Sequence, residues 1–360
     1  MSNILDYILW RGDLPLQRDP INEVDGLILS QLAMVRWEQW LAPGEEAALS
    51  SLADRDESTP VSAGFTAEDD QKLMAGVTRC ARFRDVRVFD YVHEYDEGAG
   101  MQFSAVSLLL PDGALFVAYR GTDSTLVGWK EDCNMAYSRP VPAQQAALDY
   151  LLRAASKREG PVYVGGHSKG GNLAMYAAAL AGASVRYRIA AVYNNDGPGL
   201  SDLIDAQSLY ARLSGKLFSF VPQSSIVGML LAHPDAYEVV RSNSISILQH
   251  NPYSWQVEGP RFMRAPGLSK DSVYLESVFR KWLKGLDEKR RGAVVDTLFS
   301  ILGATEVRSF GREFRTGLLR NPGALIGAMQ RVDPESRREV SGAIGELIEA
   351  MMHPDADRLE

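Results

Sequence analysis

Apolar residues recur at helical spacing near the start of the chain, at Val24, Leu27, Ile28, Leu32 and Val35, and few breakers interrupt them. This pattern predicts a helical segment over residues 1–41. Between residues 42 and 67 the stretches PGEE, DRDESTP and SAG crowd charge and turn-formers together, the mark of a surface excursion that can serve as a cap or lid. From Val86 the period changes. VRVFDYV, QFSAVSLLL and ALFVAYR are β-branched and aromatic runs separated by the turn signals DEGAG and PDG, which predicts three consecutive strands, antiparallel at first. Strand and helix signals then alternate: a helix over 143–157, the strand PVYVGG, the small-residue helix NLAMYAAALA and the strand IAAVYNN. Such alternation implies a mostly parallel sheet covered by helices on both faces. Beyond residue 268 the pattern is almost wholly helical, with Asp333-Pro334-Glu335 as a start signal. The predicted organisation is an α/β unit over 1–268 followed by a helical region over 269–360.

Composition narrows the function classes. A chain of 360 residues with 46% hydrophobic and 23% charged residues can bury a full core, and its net charge of −8 without a basic stripe excludes tracking of a nucleic-acid backbone. The N-terminus has no basic start followed by an apolar run, which argues against a signal peptide or anchor and leads to the expectation of a cytoplasmic protein. The apolar run SIVGMLLA over 225–232 falls far short of the roughly 20 residues of a membrane span. It reads better as the wall or lid of a pocket. Cys80 and Cys133 are too few for a disulfide framework and lack metal-ligand spacing, so both are expected as reduced, buried thiols, and no cofactor is implied.

Gly166-His167-Ser168-Lys169-Gly170 fits G-x-S-x-G, the corner on which a serine hydroxyl is exposed between a strand and a helix. A bare match should arise by chance about 0.2 times in a chain with this much Gly and Ser, so the pattern alone decides little. Context strengthens it. The match follows Val162-Tyr163-Val164 and opens an Ala-rich helix.

VAYRGTDSTLVGWKED, placed ahead of the serine corner, resembles the Arg-Gly-Thr/Ser block of class 3 lipases. The combination of NILDYILWRGDL, NEVDGLILSQLA, GHSKGGNLA, YNNDGPG, FVPQSSIVGML and LQHNPYSWQV, spanning about residues 1–260, is similar to a bacterial lipase-like family without an assigned substrate. The resemblance implies an α/β-hydrolase fold, with a mostly parallel central sheet flanked by helices, and hydrolysis of an ester or related acyl bond. By the same resemblance the Thr122 and Lys169 backbone N–H groups, with the Thr122 hydroxyl, would receive the oxyanion, and an Arg120–Asp132 bridge with Trp129 would brace that loop.

A serine nucleophile needs an imidazole to take its proton and a carboxylate behind that imidazole. His250 is the expected base, because Ser244-Ile245-Ser246-Ile247-Leu248 reads as a strand ending just before it and Trp255 follows as in class 3 lipases. His233 is expected on an exposed helix or lid, His353 in the helical tail, and His167 as a packed neighbour of the serine. The acid is harder to place. The stretch where class 3 lipases carry an aspartate reads Ser224-Ser225-Ile226-Val227-Gly228, without a carboxylate, so Asp196, at the end of the strand after the serine helix, is the expected acid ahead of Asp202, Asp205 and Asp235. Lys169 suggests either an acidic or polar substrate end or a solvated side chain. Met229 and Leu230 are expected to line an acyl pocket. The leading reading is a serine esterase or lipase acting on a small ester or acyl lipid through an acyl-enzyme. An acyltransferase or thioesterase on the same residues, and a non-catalytic lipid-binding or scaffolding module, are the alternatives.

Overall fold

The computed structural model describes residues 2–54, 59–64, 66–123, 125–135, 140–201, 204–234, 236–303 and 334–352. Eight strands form one sheet whose spatial order follows the chain: β1 (Ala47–Ala48), β2 (Arg87–Asp96), β3 (Met101–Leu109), β4 (Leu115–Tyr119), β5 (Val162–His167), β6 (Ile189–Asn195), β7 (Leu217–Pro222) and β8 (Glu238–Val240). Neighbours from β1 to β4 are antiparallel, and those from β4 to β8 are parallel. The change follows from the connections. Short turns with Gly100 and Gly113 at positive φ lie in the antiparallel part, whereas helices intervene between β4 and β7, as parallel pairing requires.

One face of the sheet is covered by α1 (Ile4–Arg11), α2 (Glu23–Gln31) and α3 (Ala67–Arg79), which share a core with Val88, Val106, Phe116 and Ala118. Asn3 and Asn22 start α1 and α2 with capping boxes. On the opposite face lie α4 (Leu126–Asn134), α5 (Pro142–Ser156), α6 (Lys169–Leu180), α7 (Ala183–Arg188) and α8 (Ala206–Arg212), and α5, α6 and α8 pack on Leu115, Val117, Val164 and Val192. The strands between are apolar on both sides, so β4 is buried along its whole length. This is an α/β-hydrolase fold. Among the described residues after Ser269 are the helices α9 (Lys270–Gly285), α10 (Glu288–Gly303) and α11 (Pro334–Met352).

The strands and helices expected between residues 86 and 195 all form. Two departures have physical reasons. Ser244-Ile245-Ser246-Ile247-Leu248 is not a strand: the sheet ends at β8, whose outer edge is met by Arg264, residues Ser246–His250 wind into a 3-10 turn, and the next strands, Val257–Glu258 and Arg261–Phe262, pair only with each other. A period of two without a neighbouring edge to bond cannot make a strand. Within 42–67, Ala47 and Ala48 add the edge strand β1 to the sheet, a segment too short to leave a pattern. Both cysteines are free and only partly buried, with burial pushing the Cys133 thiol up to about 12. Among the described residues no helix is long and apolar enough to cross a membrane.

Candidate active site

Ser168 lies on the corner between β5 and α6 with φ 57° and ψ −133°, a conformation that costs an L-residue free energy and recurs at functional sites. Close packing holds it there. A Cβ on Gly166 would come within 2.2 Å of the Gly170 carbonyl, and one on Gly170 within 2.2 Å of the Tyr119 carbonyl oxygen, so helix and strands meet at a distance only glycine permits. The Ser168 N–H donates to the Asn195 carbonyl at 3.0 Å, tying the corner to the end of β6. Ser168 itself is partly exposed, hence reachable from solvent.

Asp196 follows β6 with φ 51°, and its side chain is fully buried. Both carboxylate oxygens are engaged: Oδ2 accepts from His250 Nδ1 at 2.7 Å and Oδ1 from the Ser225 hydroxyl at 2.5 Å. A Cβ on Gly228 would approach Oδ1 to 2.3 Å, so the turn after β7 is shaped to leave room for this carboxylate. Ser225 and Gly228 occupy the stretch where class 3 lipases carry the acid; here that stretch hydrogen-bonds an acid supplied by β6. Because a carboxylate can only accept, Nδ1 is the donor in this hydrogen bond, and Nε2 is the ring nitrogen turned away from Asp196. Asn172 donates to the Pro198 and Gly199 carbonyls and Asn194 receives the Gly197 N–H, which together fix the loop behind Asp196. None of these supports was singled out from the sequence, since side chains that bind backbone carry no motif of their own.

His250 ends its 3-10 turn with its ring 4.6 Å from that of His167, whose Nε2 donates to the His250 carbonyl at 2.8 Å. Burial and the neighbouring His250 hold the His167 pKa well below the usual imidazole range, so His167 is a neutral donor. The buried Trp255 indole donates to the Gln249 carbonyl at 2.9 Å, and Tyr253 donates to the buried Asp70 at 2.5 Å. The segment carrying His250 is thereby pinned from below and from the N-terminal helical layer.

Gly121 lies against the corner: a Cβ there would stand 2.9 Å from the His167 carbonyl oxygen and 3.4 Å from Ser168 Cβ. Thr122 follows at once, and Lys169 is the first residue of α6, where N–H groups lack intrahelical acceptors. The Thr122 hydroxyl donates to Asp132 Oδ2 at 2.5 Å, so the N–H is the donor it can still offer. Burial pushes the Asp132 carboxyl up to about 6, opposed by Lys169 and the Thr122 hydroxyl and reinforced by Glu131 and Asp123.

Lys169 neither faces substrate nor is solvated. Its ammonium is buried and donates to Glu131 Oε2 at 2.9 Å, the Gln102 carbonyl at 2.7 Å and Gln102 Oε1 at 2.9 Å, which uses all three of its protons. Glu131 also receives the N–H groups of Gln102 and Ala143. Nor does Arg120 bridge to Asp132 among the described residues, because Thr122 and, at 4.0 Å, Lys169 occupy that carboxylate. Trp129 is 43% exposed.

His233 lies in the loop before β8, partly buried, with its ring edge-on to Tyr237 rather than on a helix. Asp205 caps α8 through Ser208 N. Asp202, Asp235 and His353 lie outside the described residues. In the turn after β7 Met229 is buried and Leu230 partly exposed. Next to His250, Ile245, Ile247 and Leu248 are 76%, 48% and 49% exposed, an apolar rim on the turn itself.

Sheet, corner and the Asp196–His250 pair together define a protein with a lipase-like α/β-hydrolase fold. The chain belongs to the Mbeg1-like family, whose family model matches residues 77–300. Among solved structures it is similar to that described as "Crystal structure of M37 lipase", with 12% identity over 88% of this chain and 97% of the lipase and a TM-score of 0.37, too loose a likeness for comparison residue by residue. No curated protein sequence matches the chain.

Replacing Lys169 with Met leaves Glu131 buried without its counter-charge. The expected loss is about 3–5 kcal/mol, and the double substitution Lys169→Met with Glu131→Gln should recover part of it. Urea unfolding measures both; a Lys169→Met protein as stable as the native one would contradict the role given to this pair.

Proposed function

We propose that this protein is a serine hydrolase that cleaves a carboxylic ester, with acyl lipids as its substrate class, through an acyl-enzyme. The observation that carries the proposal is the buried Asp196 carboxylate bonded at 2.7 Å to His250 Nδ1, at the strand end adjoining a partly exposed Ser168. In this reading His250 Nε2 takes the Ser168 proton as Oγ attacks the ester carbonyl. The backbone N–H groups of Thr122 and Lys169 receive the oxyanion. The imidazolium returns its proton to the departing alcohol, and water, deprotonated by the same nitrogen, then releases the acid and restores Ser168. The exposed Ile245, Ile247 and Leu248 beside His250, with Met229 and Leu230 in the turn after β7, supply apolar surface suited to an acyl chain.

A fluorophosphonate probe should label the folded protein on Ser168, located by peptide mapping, because an activated serine attacks phosphorus as it does a carbonyl. An unlabelled protein, or an adduct on another serine, would falsify the catalytic reading.

Asp196→Asn keeps the shape but lets the amide stabilise the wrong His250 tautomer. Turnover of p-nitrophenyl butyrate is expected to drop by about four orders of magnitude with folding retained. Nearly full activity in that variant would remove Asp196 from the mechanism and turn attention to Asp235.

If Leu230 lines the acyl pocket, Leu230→Trp shortens it, and the preferred chain in a p-nitrophenyl ester series should move from longer to shorter acyl groups. An unchanged profile in a stably folded variant would place Leu230 outside the pocket.

A further inference from the structure

Strand register lines up a row of residues at the carboxyl end of β4 and β5. His93 pairs with Ser104, the Arg120 N–H donates to the Ser104 carbonyl, and Tyr119 pairs with Gly166, which sets Arg120 beside His167 one strand spacing away. Phe116 and Ala118 face the N-terminal helical layer and Tyr119 the other side, so Arg120 projects toward that layer, on the same face as His167 and its stacked partner His250. Arg120 is thus one residue from the glycine that touches Ser168 and one strand from the proposed base.

Its guanidinium has no carboxylate within ion-pair distance and no hydrogen-bond acceptor among the described residues, and its Nε is buried without a partner. The Tyr91 hydroxyl nearby is also buried, and by distance and angle it has no hydrogen-bond partner among the described residues. Both neighbouring carboxylates are engaged elsewhere: Glu38 with Arg36 at 3.4 Å, and Asp123 with the N–H and hydroxyl of Thr125 at 2.9 and 2.5 Å. A planar cation with five donors that finds no acceptor among the described residues is a ready receptor for a carboxylate or phosphate.

We propose that Arg120, with the Tyr91 hydroxyl and His93 beside it, forms a subsite for an anionic group, carboxylate or phosphate, carried by the ester substrate. The proposal deepens the serine-hydrolase reading and rests on it. It accounts for an arginine without an internal partner at the mouth of the site, where a structural role would supply one.

Two measurements test it. In turnover, the kcat/KM ratio of p-nitrophenyl hemisuccinate to p-nitrophenyl butyrate, esters of equal acyl length with and without a carboxylate, should fall about ten- to a hundredfold in Arg120→Met. It should fall less in Arg120→Lys, and also in Tyr91→Phe, which removes only a hydroxyl. Without turnover, calorimetric titration of the Ser168→Ala protein with monomethyl succinate and with glycerol phosphate separates an acyl-side carboxylate from a head-group phosphate. At least one should bind, more weakly in the Ser168→Ala, Arg120→Met double variant. A ratio within twofold of native in both folded Arg120 variants, with neither anion bound through Arg120, overturns the subsite. Fluorophosphonate labelling keeps the two readings apart. Labelled Ser168 without anion preference removes the subsite alone, whereas Arg120-dependent anion binding in an unlabelled protein removes the hydrolase reading alone.

Discussion

An ammonium group taken out of water must be neutralised where it lands, and this constraint organises the reactive end of the sheet. Lys169 is the first residue of the helix that follows Ser168, and its side chain runs back into the protein to Glu131 and Gln102. Burying such a charge costs several kcal/mol unless geometry and further hydrogen bonds offset it. Here they do. Glu131 brings α4, Gln102 brings β3, and the Ala143 N–H brings the start of α5 to one point. Because Thr122 is hydrogen-bonded to Asp132, the neighbour of Glu131, the same node also holds the loop that lies against the serine corner.

The opposite flank obeys a different rule. Asp196 is a buried carboxyl group whose two oxygens are matched by one imidazole and one hydroxyl, and the His250 segment is gripped by His167, Trp255 and the Tyr253–Asp70 contact. A charged hydrogen bond in so dry a place is directional and strong. The imidazole is therefore held in one orientation by the protein itself.

Periodicity exposed those elements long enough to repeat: β2 through β6, α5 and α6 follow directly from the spacing of their apolar residues. The order serine, aspartate, histidine and the strand end before Asp196 singled out the pair that the structure brings into contact. Interactions between distant residues were hidden. A lysine inside a serine corner looks solvent-bound until Glu131, 38 residues upstream, is seen to meet it. Likewise the arginine of the Arg-Gly-Thr block seems destined for Asp132 until Thr122 is found there. Strands of two or three residues, such as β1 and β8, are too brief to register a period, and the Ser-Ile-Ser-Ile run before His250 imitates a strand because alternating residue types do not by themselves supply an edge to pair with.

The N-terminal residues reach far along the chain. The Ser2 carbonyl accepts from the Val257 N–H at 2.9 Å, its hydroxyl donates to the Val257 carbonyl at 2.6 Å, and the Asn3 side chain donates to the Tyr253 carbonyl at 2.9 Å, contacts spanning 250 residues or more. Loop closure over that separation is slow relative to local structure. On the ribosome, α1 emerges well ahead of its partner and finds it only after residue 257 has cleared the exit tunnel. A nascent chain can therefore form the corner at Ser168 long before the segment carrying His250 is clamped beside it.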